Sequence, residues 1–254
     1  MSAPSAPALA LRGLVKRFQH VVAVAGVDLD VPRGSFFGLV GPNGAGKSTT
    51  IAMSTGLLRP DAGTVTVNGI DVWLDPITAK SQVGVLPEGL RLFERLTGRE
   101  LLIYTGLLRR MPRDVVEQRA RELLDALGLI SAADKMVVDY STGMKKKVAL
   151  SVAMLHAPRL LVLDEPFEAV DPVSALTIRN ILQRYVDGGG TVLMSSHVME
   201  LVQRLCDHVA VIDRGTIVAA GPIDSVTGGR ALDEVFVDIV GAAPATADLD
   251  WLTR

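Results

Sequence analysis

The sequence predicts an α/β protein whose core is a mainly parallel sheet. After Arg159, short apolar runs typical of buried strands alternate with helical periodicity, a pattern typical of parallel sheets with right-handed crossovers. Earlier in the chain, the apolar run Ser35–Val40 is followed by a glycine-rich segment and then by a helix pattern over Ser48–Leu57. Ligands of such sheets bind at the carboxyl ends of the strands, so we expect the functional residues there.

Composition places the chain among globular proteins of one or two domains, with 254 residues of which 48% are hydrophobic. The formal net charge of -2 disfavours nucleic acid as a partner. Cys206 is the single cysteine, which excludes an internal disulfide or a multi-cysteine metal site and fits a reducing compartment. Residues 1–8 lack the features of a signal peptide and are expected to be a loose leader, and no uncharged apolar run reaches the ~18 residues that span a bilayer.

The first part of the chain predicts an N-terminal antiparallel β subdomain. Asn68-Gly69 is a strong signal for a two-residue turn and separates two apolar runs, so it predicts a hairpin. The strands expected in this subdomain are Leu9–Leu14, Val21–Val24, Val27–Val31, Thr64–Val67 and Ile70–Trp73.

A helical pattern interrupts the α/β alternation after the predicted strand Val83–Leu86. Thr97 and Glu100 form a capping-box signature, and a second helix is expected to begin at Pro112 and to stop at Gly128. We place this inserted helical subdomain at about residues 89–157, within a domain of residues 9–220. Further elements are expected at Leu160–Leu163, Val173–Tyr185, Thr191–Ser195, Val209–Ile212 and Thr216–Ala219, and Leu232–Val240 is a candidate for one more in the C-terminal extension, residues 221–254.

The glycine-rich segment has the pattern of a phosphate-binding loop. It consists of Gly41, Pro42, Asn43, Gly44, Ala45, Gly46, Lys47, Ser48 and Thr49. Its three glycines are expected to take positive φ, so that successive N–H groups turn inward around an anion. Lys47 would reach the β- and γ-phosphates, and the Ser48 hydroxyl would bind Mg²⁺. The alternative is an ordinary glycine turn before a helix.

Two adjacent carboxylates end the apolar strand Leu160–Leu163. Buried strands rarely end in this way unless a cation or a reaction is nearby. Asp164 would hold Mg²⁺ opposite Ser48, and Glu165 would accept a proton from the water that attacks the γ-phosphorus. This pairing favours an NTPase over a simple nucleotide-binding module; the alternative is a pair that meets solvent or caps the next helix.

Other candidate residues are less specific. His197 follows the strand ending at Ser196 and would contact the γ-phosphate or the water, unless it is a surface or capping histidine. Phe18 would stack on a base, unless it is a partly buried loop residue. Ser141 and the amides near Gly143 would form an anion site at a helix start. Lys145, Lys146 and Lys147 in the first turn would face a second subunit's nucleotide or form a solvated face.

With these motifs in this order, the chain resembles the ATP-binding subunits of ABC transporters over about residues 9–220. The resembling segments are Gly41–Thr49 for the Walker A loop, Leu160–Glu165 for Walker B, Ser141–Met144 for the signature motif, His197 for the switch histidine, Phe18 for the adenine-stacking aromatic, Glu88 for the Q-loop position and Ala169–Asp171 for the D-loop. Asp171 is alternatively only a helix N-cap.

The chain departs from the family pattern at several positions. The signature reads YSTGM and keeps Ser141 and Gly143, while Glu88 stands where the family usually has glutamine. Phe167 and Glu168 replace the commoner small polar residues after Walker B. The segments PEGLRLFERLTGREL and YSTGMKKK resemble those of bacterial ABC-2-type exporters.

The resemblance implies a P-loop NTPase fold and the hydrolysis of ATP with Mg²⁺. It assigns catalysis to Glu165, His197 and Lys47, and metal binding to Ser48, Glu88 and Asp164. It also implies that two subunits, by default a homodimer, sandwich two ATP molecules, with Ser141, Gly143 and Asp171 completing the partner's site. The other implied partner is an integral membrane permease, with the chain peripheral on the cytoplasmic face of the cell membrane and export as the direction.

Three other functions remain consistent with parts of the sequence. A soluble ABC ATPase that serves repair, assembly or translation would share every motif. A P-loop kinase would need an acceptor pocket and would not need His197 or the signature-like helix. A regulatory subunit that does not hydrolyse ATP is disfavoured by the intact Lys47, Asp164 and Glu165.

Overall fold

The computed structural model describes residues 6–89 and 92–241, which form two sheets and a group of helices. In chain order the elements are β1 (Leu9–Phe18), β2 (Val21–Val31), β3 (Phe36–Val40), α1 (Lys47–Ser54), β4 (Ala62–Val67), β5 (Ile70–Asp71), α2 (Pro76–Ser81), β6 (Val83–Leu86), α3 (Gly98–Leu108), α4 (Arg113–Ala126), α5 (Thr142–Met154), β7 (Leu160–Leu163), α6 (Pro172–Asp187), β8 (Thr191–Ser196), α7 (Met199–Leu205), β9 (His208–Asp213), β10 (Thr216–Pro222), α8 (Ile223–Thr227) and α9 (Leu232–Val240). The calls on the rest of the leader, residues 1–5, and on the end of the C-terminal extension, residues 242–254, lie outside the described residues.

The larger sheet has the strand order β10-β9-β3-β8-β7-β6. The pairs from β9 to β6 are parallel, and β10 joins β9 antiparallel at the edge. Along β3, Phe36 and Val40 face one hydrophobic core while Phe37 and Leu39 face the other, as the two-residue period of a strand requires. The predicted mainly parallel α/β fold is confirmed.

The smaller sheet is antiparallel, with the order β2-β1-β4-β5. The predicted break between Val24 and Val27 is wrong, because β2 is continuous. Leu14 pairs with Val27 and the next residue, Val15, pairs with Ala25, which leaves Gly26 as an extra residue at φ 101°. Gly26 therefore forms a β-bulge inside one strand.

The hairpin at Asn68-Gly69 is confirmed, but its second strand, β5, is only two residues long. Asp71 ends it, because its Oδ1 accepts hydrogen bonds from the amides of Trp73 and Leu74. The helix α2 was not predicted, although Asp75 at the N-cap followed by Pro76 is a helix-start signal. Next to the predicted start of the domain at residue 9, Ala8 is buried and its amide donates to the Val31 carbonyl.

The helices α3, α4 and α5 occupy the predicted helical region. The Thr97 side chain accepts from the Glu100 amide, and the Glu100 carboxylate accepts from the Thr97 amide, as the capping-box signature predicted. At the C-terminus, Leu232–Val240 is the helix α9, whose Leu232 amide donates to Gln203 on α7. None of the helices in residues 6–89 and 92–241 combines the length and apolar character needed to cross a bilayer.

Candidate active site

Most of the predicted site residues line one cleft of about 540 Å³ at the carboxyl ends of the parallel strands. The predicted residues in its wall are Phe18, Asn43, Gly44, Gly46, Lys47, Ser48, Thr49, Glu88, Glu165 and His197. Of the remaining predicted residues, Gly41, Pro42 and Ala45 belong to the loop itself, and Asp164 is 2% exposed at the end of β7.

The loop between β3 and α1 takes its shape from glycines, for two different reasons. Gly44 and Gly46 have φ angles of 80° and 105°, as expected of a phosphate-binding loop. The prediction of positive φ at Gly41 is wrong. That residue needs to be glycine because a Cβ there would collide with the carbonyl oxygen of Ile212 on β9.

The start of α1 leaves its backbone donors open. Its N-cap, Gly46, provides no side-chain hydrogen bond, and no acidic residue lies in the first turn. The first N–H groups of a helix point outward and carry partial positive charge, so this terminus can bind an anion. Lys47 adds a cation beside it; the side chain is buried, and Nζ donates to the Gly41 carbonyl at 2.7 Å.

Asp164 and Glu165 are joined by the hydroxyl of Ser195. Ser195 Oγ on β8 donates to Asp164 Oδ1 and accepts from the Glu165 amide at 2.9 Å. Burial raises the pKa of the Asp164 carboxyl, and the hydrogen bonds from Ser195 and Ser48 act against that rise. Ser195 was not among the predicted site residues. Its position two residues before His197, near the carboxyl end of the same strand, is a sequence signal for it.

Glu165 has a backbone conformation uncommon for a residue with a side chain, at φ 46°. Its carboxylate is almost buried, and Oε2 lies 3.1 Å from Nδ1 of His197, which is half-exposed. The structure therefore brings the two residues predicted to act on water into direct contact.

Ser48 and Glu88 both line the cleft, where their side-chain oxygens meet. Ser48 Oγ donates to Glu88 Oε2 at 2.9 Å, and the Ser48 hydroxyl also acts to lower the pKa of Asp164. Among the described residues, no three His, Cys, Asp or Glu side chains form a metal-binding group. Mg²⁺ is commonly held by one or two carboxylates together with substrate phosphates, so a hydroxyl flanked by carboxylates fits this ion.

Phe18 ends β1 with its ring half-exposed at the cleft, and Lys16 Nζ lies 5.7 Å from the ring centroid. Ser141, Gly143 and Asp171 do not line this cleft. The Ser141 hydroxyl caps α5 by accepting from the Met144 amide, and Asp171 caps α6 by accepting from the amides of Val173 and Ser174. The expected N-cap role of Asp171 is present; neither capping contact tests a role toward a second subunit.

The three lysines at the start of α5 are not equivalent. Lys145 pairs with Glu94 at 2.8 Å. Lys146 Nζ donates to the main-chain carbonyl of Glu165 at 2.7 Å. Two of the three lysines expected either to face a second subunit or to form a solvated face therefore have partners in their own chain.

The sequence profile of the family described as ABC transporter matches residues 24–168. The chain belongs to this family. The ABC transporter family match covers the loop and the carboxylates described above, and it extends through α5.

Individual relatives support the same assignment. The chain is 41% identical over 214 residues to the daunorubicin/doxorubicin resistance ATP-binding protein DrrA of Streptomyces peucetius, an alignment that covers 84% of this chain and 65% of DrrA. It is 36% identical to the ABC transporter ATP-binding protein NatA of Bacillus subtilis (strain 168), covering 83% of this chain and 88% of NatA. A solved ATP-binding subunit of an ABC transporter superposes with a TM-score of 0.84 at 30% identity, over 91% of this chain and 98% of that structure.

Proposed function

We propose that the chain is the ATP-binding subunit of an exporter, which hydrolyses MgATP to ADP and phosphate and powers a separate membrane permease. The observation that carries this proposal is the convergence of an open helix start, Lys47 and the Glu165–His197 pair on one cleft. The drug-resistance name of DrrA supports export, and the alignment with this chain spans 65% of DrrA.

The chain's own residues divide the chemistry among themselves. The amides at the start of α1 and the Lys47 ammonium bind the phosphates and stabilise the negative charge on the transferring group. Glu165 accepts the proton of the attacking water, and His197, in contact with its carboxylate, orients that carboxylate. Phe18 would stack on the adenine. Ser48, Glu88 and Asp164 would hold Mg²⁺, which supplies charge neutralisation at the phosphates when it is bound.

Two features support assembly with a second ATPase subunit. At the start of α5, Ser141 is exposed and Gly143 is buried, and neither lines the cleft of their own chain. A Cβ on Gly143 would lie 2.7 Å from Asp171 Oδ2, so the signature-like segment and the D-loop-like segment pack together. In the proposed homodimer these three residues complete the ATP site of the partner.

Exposed apolar side chains on the helical region support docking to a permease. On α3, Tyr104, Leu107 and Leu108 are exposed, and the Phe93 ring packs edge-on against Tyr104 with centroids 5.4 Å apart. Contiguous apolar surface of this kind is typical of interfaces. The proposed location, peripheral on the cytoplasmic side of the cell membrane, follows from this docking.

The proposal is tested by co-expressing the chain with candidate six-helix membrane proteins and comparing ATP hydrolysis by those membranes with hydrolysis by the purified chain. We expect one partner to co-purify and to stimulate hydrolysis. Leu107→Lys with Leu108→Lys should abolish the stimulation but keep the basal rate, whereas Val218→Lys, an exposed position on β10, should keep both. Turnover without binding or stimulation by any candidate would favour a soluble ATPase instead.

Glu165→Gln and Lys47→Ala separate binding from chemistry in the same assay. The first should still bind MgATP and trap the dimer, because it lacks only the proton acceptor. The second should weaken nucleotide binding. Wild-type turnover by purified Glu165→Gln would contradict the assignment of the base.

A further inference from the structure

One hydrogen bond links the start of α5 to the main chain of the residue proposed to activate water. Lys146, on α5, is partly buried, and its Nζ donates to the carbonyl oxygen of Glu165 at 2.7 Å. The same carbonyl accepts from the Glu168 amide at 3.2 Å. A charged donor makes a stronger hydrogen bond than a neutral one, so the lysine is the main support of this oxygen.

Glu165 needs such support because its backbone is in the left-handed region, at φ 46°. This conformation is unfavourable for residues other than glycine. Its amide is fixed from one side by Ser195 Oγ at 2.9 Å. Its carbonyl is fixed from the other side by Lys146. The two side chains together hold the peptide units on both sides of the Glu165 Cα, and that geometry directs the carboxylate toward His197.

Four carboxylates also surround the Lys146 side chain. Burial lowers the pKa of Lys146, and the carboxylates of Glu168, Glu165, Asp164 and Glu88 act against that change. Glu88 and Glu168 line both the nucleotide cleft and an adjoining pocket whose wall includes Lys146. Lys145, one residue earlier, instead pairs with Glu94.

We propose that Lys146 is a positioning residue for ATP hydrolysis, which holds the Glu165 main chain in its active conformation and offsets the charge of the surrounding carboxylates. The proposal rests on the ATPase function proposed above. Because Ser141 caps α5, one helix joins the segment proposed to meet the partner's ATP to the side chain that fixes the base of its own site.

The test compares Lys146→Gln with Lys146→Arg and with the matched control Lys145→Gln on the same helix. We expect Lys146→Gln to lower kcat at least tenfold while KM for ATP changes less than twofold, because the phosphate-binding residues are untouched. Lys146→Arg should recover at least half of the wild-type kcat. Lys145→Gln should keep kcat within twofold of wild type.

Hydrogen exchange of the purified chain provides a measurement that does not require turnover. In Lys146→Gln the amides of Glu165 and of residues 167–169 should exchange at least tenfold faster, with an unchanged thermal midpoint, and in Lys145→Gln they should not. Unchanged exchange in Lys146→Gln, or equal losses of kcat in the Gln and Arg variants that track a lower thermal midpoint, would overturn the positioning role. Failure of the proposed function would look different: wild type would lack ATP hydrolysis or permease stimulation, while the exchange comparison would still decide the role of Lys146.

Discussion

The carboxyl edge of the parallel sheet and the helical region over α3–α5 differ in whether their local interactions stabilise the fold. At the sheet edge, α1 starts without a side-chain cap, Asp164 is buried, and Glu165 has a positive φ. In the helical region, α3 has a complete capping box and α4 carries an Arg113–Glu117 ion pair one turn apart. An uncapped helix start, a buried carboxylate and a strained backbone therefore lie together where the proposed chemistry occurs, as expected of functional sites.

The contrast implies that substitutions in the two regions should have separable effects. Changes at the sheet edge should lower nucleotide binding or turnover, and some should raise stability. Changes in the helical region, except at Lys146, which contacts Glu165, should lower stability and leave basal turnover unchanged. The following substitutions test this separation, beginning with the largest expected effect.

Gly46→Ala should abolish measurable MgATP binding. A Cβ at this position would lie 2.5 Å from the carbonyl oxygen of Ala23, and φ is 105°, so the loop must move away from its phosphate-binding shape. The combined strain and overlap should cost roughly 2–4 kcal/mol of unfolding free energy. Binding is measured by calorimetry and stability by urea unfolding.

Gly34→Ala is the matched control for that variant. Gly34 has a φ of 68°, but no other heavy atom lies within 4 Å of its added Cβ. It should lose only about 1 kcal/mol and bind MgATP as wild type does. If both variants bind equally well, the shape of the loop at Gly46 is not what the nucleotide requires.

Asp164→Asn should reduce kcat by roughly a hundredfold or more, because the substitution removes a proposed Mg²⁺ ligand. It should also raise the thermal midpoint, by roughly 2–4 °C for each kcal/mol gained. Burial raises the pKa of Asp164, so its charged form is costly near pH 7, whereas the amide oxygen still accepts from Ser195. A lower midpoint in the variant would contradict the contrast between the two regions.

The pH dependence of the thermal midpoint tests whether Asp164→Asn raises stability for this reason. A carboxyl whose folded pKa is raised is stabilising in its protonated form and loses stability as pH rises through that pKa. The advantage of Asp164→Asn should therefore be present at pH 7 and shrink as the pH falls toward 4. Thermal midpoints of wild type and Asp164→Asn, measured at several pH values between 7 and 4, would show this change.

Local patterns in the sequence were sufficient to place the motifs and most elements. The strands Val83–Leu86 and Leu160–Leu163 have the predicted bounds, and the Thr97–Glu100 capping box is present as predicted. Each of these signals lies within a few neighbouring residues, so composition and spacing are enough to find it.

The contacts that hold the candidate base were not predictable in the same way. Ser195 and Lys146 meet Glu165 across 30 and 19 residues of sequence, and neither contact leaves a local pattern. The continuity of β2 was missed for a related reason, since the bulge at Gly26 is defined only by its pairing with β1. The contacts of Glu165 and the continuity of β2 therefore depend on pairing and packing between distant segments, which local spacing does not show.

His156, just after α5, is an exception within the helical region. Its Nε2 donates to the Val83 carbonyl at 3.1 Å, and Nδ1 is buried without a hydrogen-bond partner among the described residues. Burial, with Arg109 nearby, lowers the pKa of His156 to about 4. A histidine with a lowered folded pKa stabilises the protein above its unfolded pKa and loses that contribution as the pH falls.

His156→Gln should therefore make the protein less sensitive to acid. Between pH 7 and pH 5, wild type should lose roughly 1–2 kcal/mol more unfolding free energy than the variant, after allowance for the partial exposure of the ring. Urea unfolding at both pH values measures this difference.

Thr97→Ala should have the smallest effect and should change stability only. The substitution removes the hydroxyl that accepts from the Glu100 amide at the start of α3, and the loss of such a cap costs about 1 kcal/mol. Basal ATP hydrolysis should stay within twofold of wild type, since Thr97 lies outside the cleft. Thr105→Ala makes the same change inside the same helix, where the Thr105 hydroxyl donates to the Leu101 carbonyl, and it should be neutral or stabilising because alanine favours helix interiors. A fall in turnover with Thr97→Ala but not with Thr105→Ala would mean that the start of α3 communicates with the sheet edge, and the two regions would then not be separable.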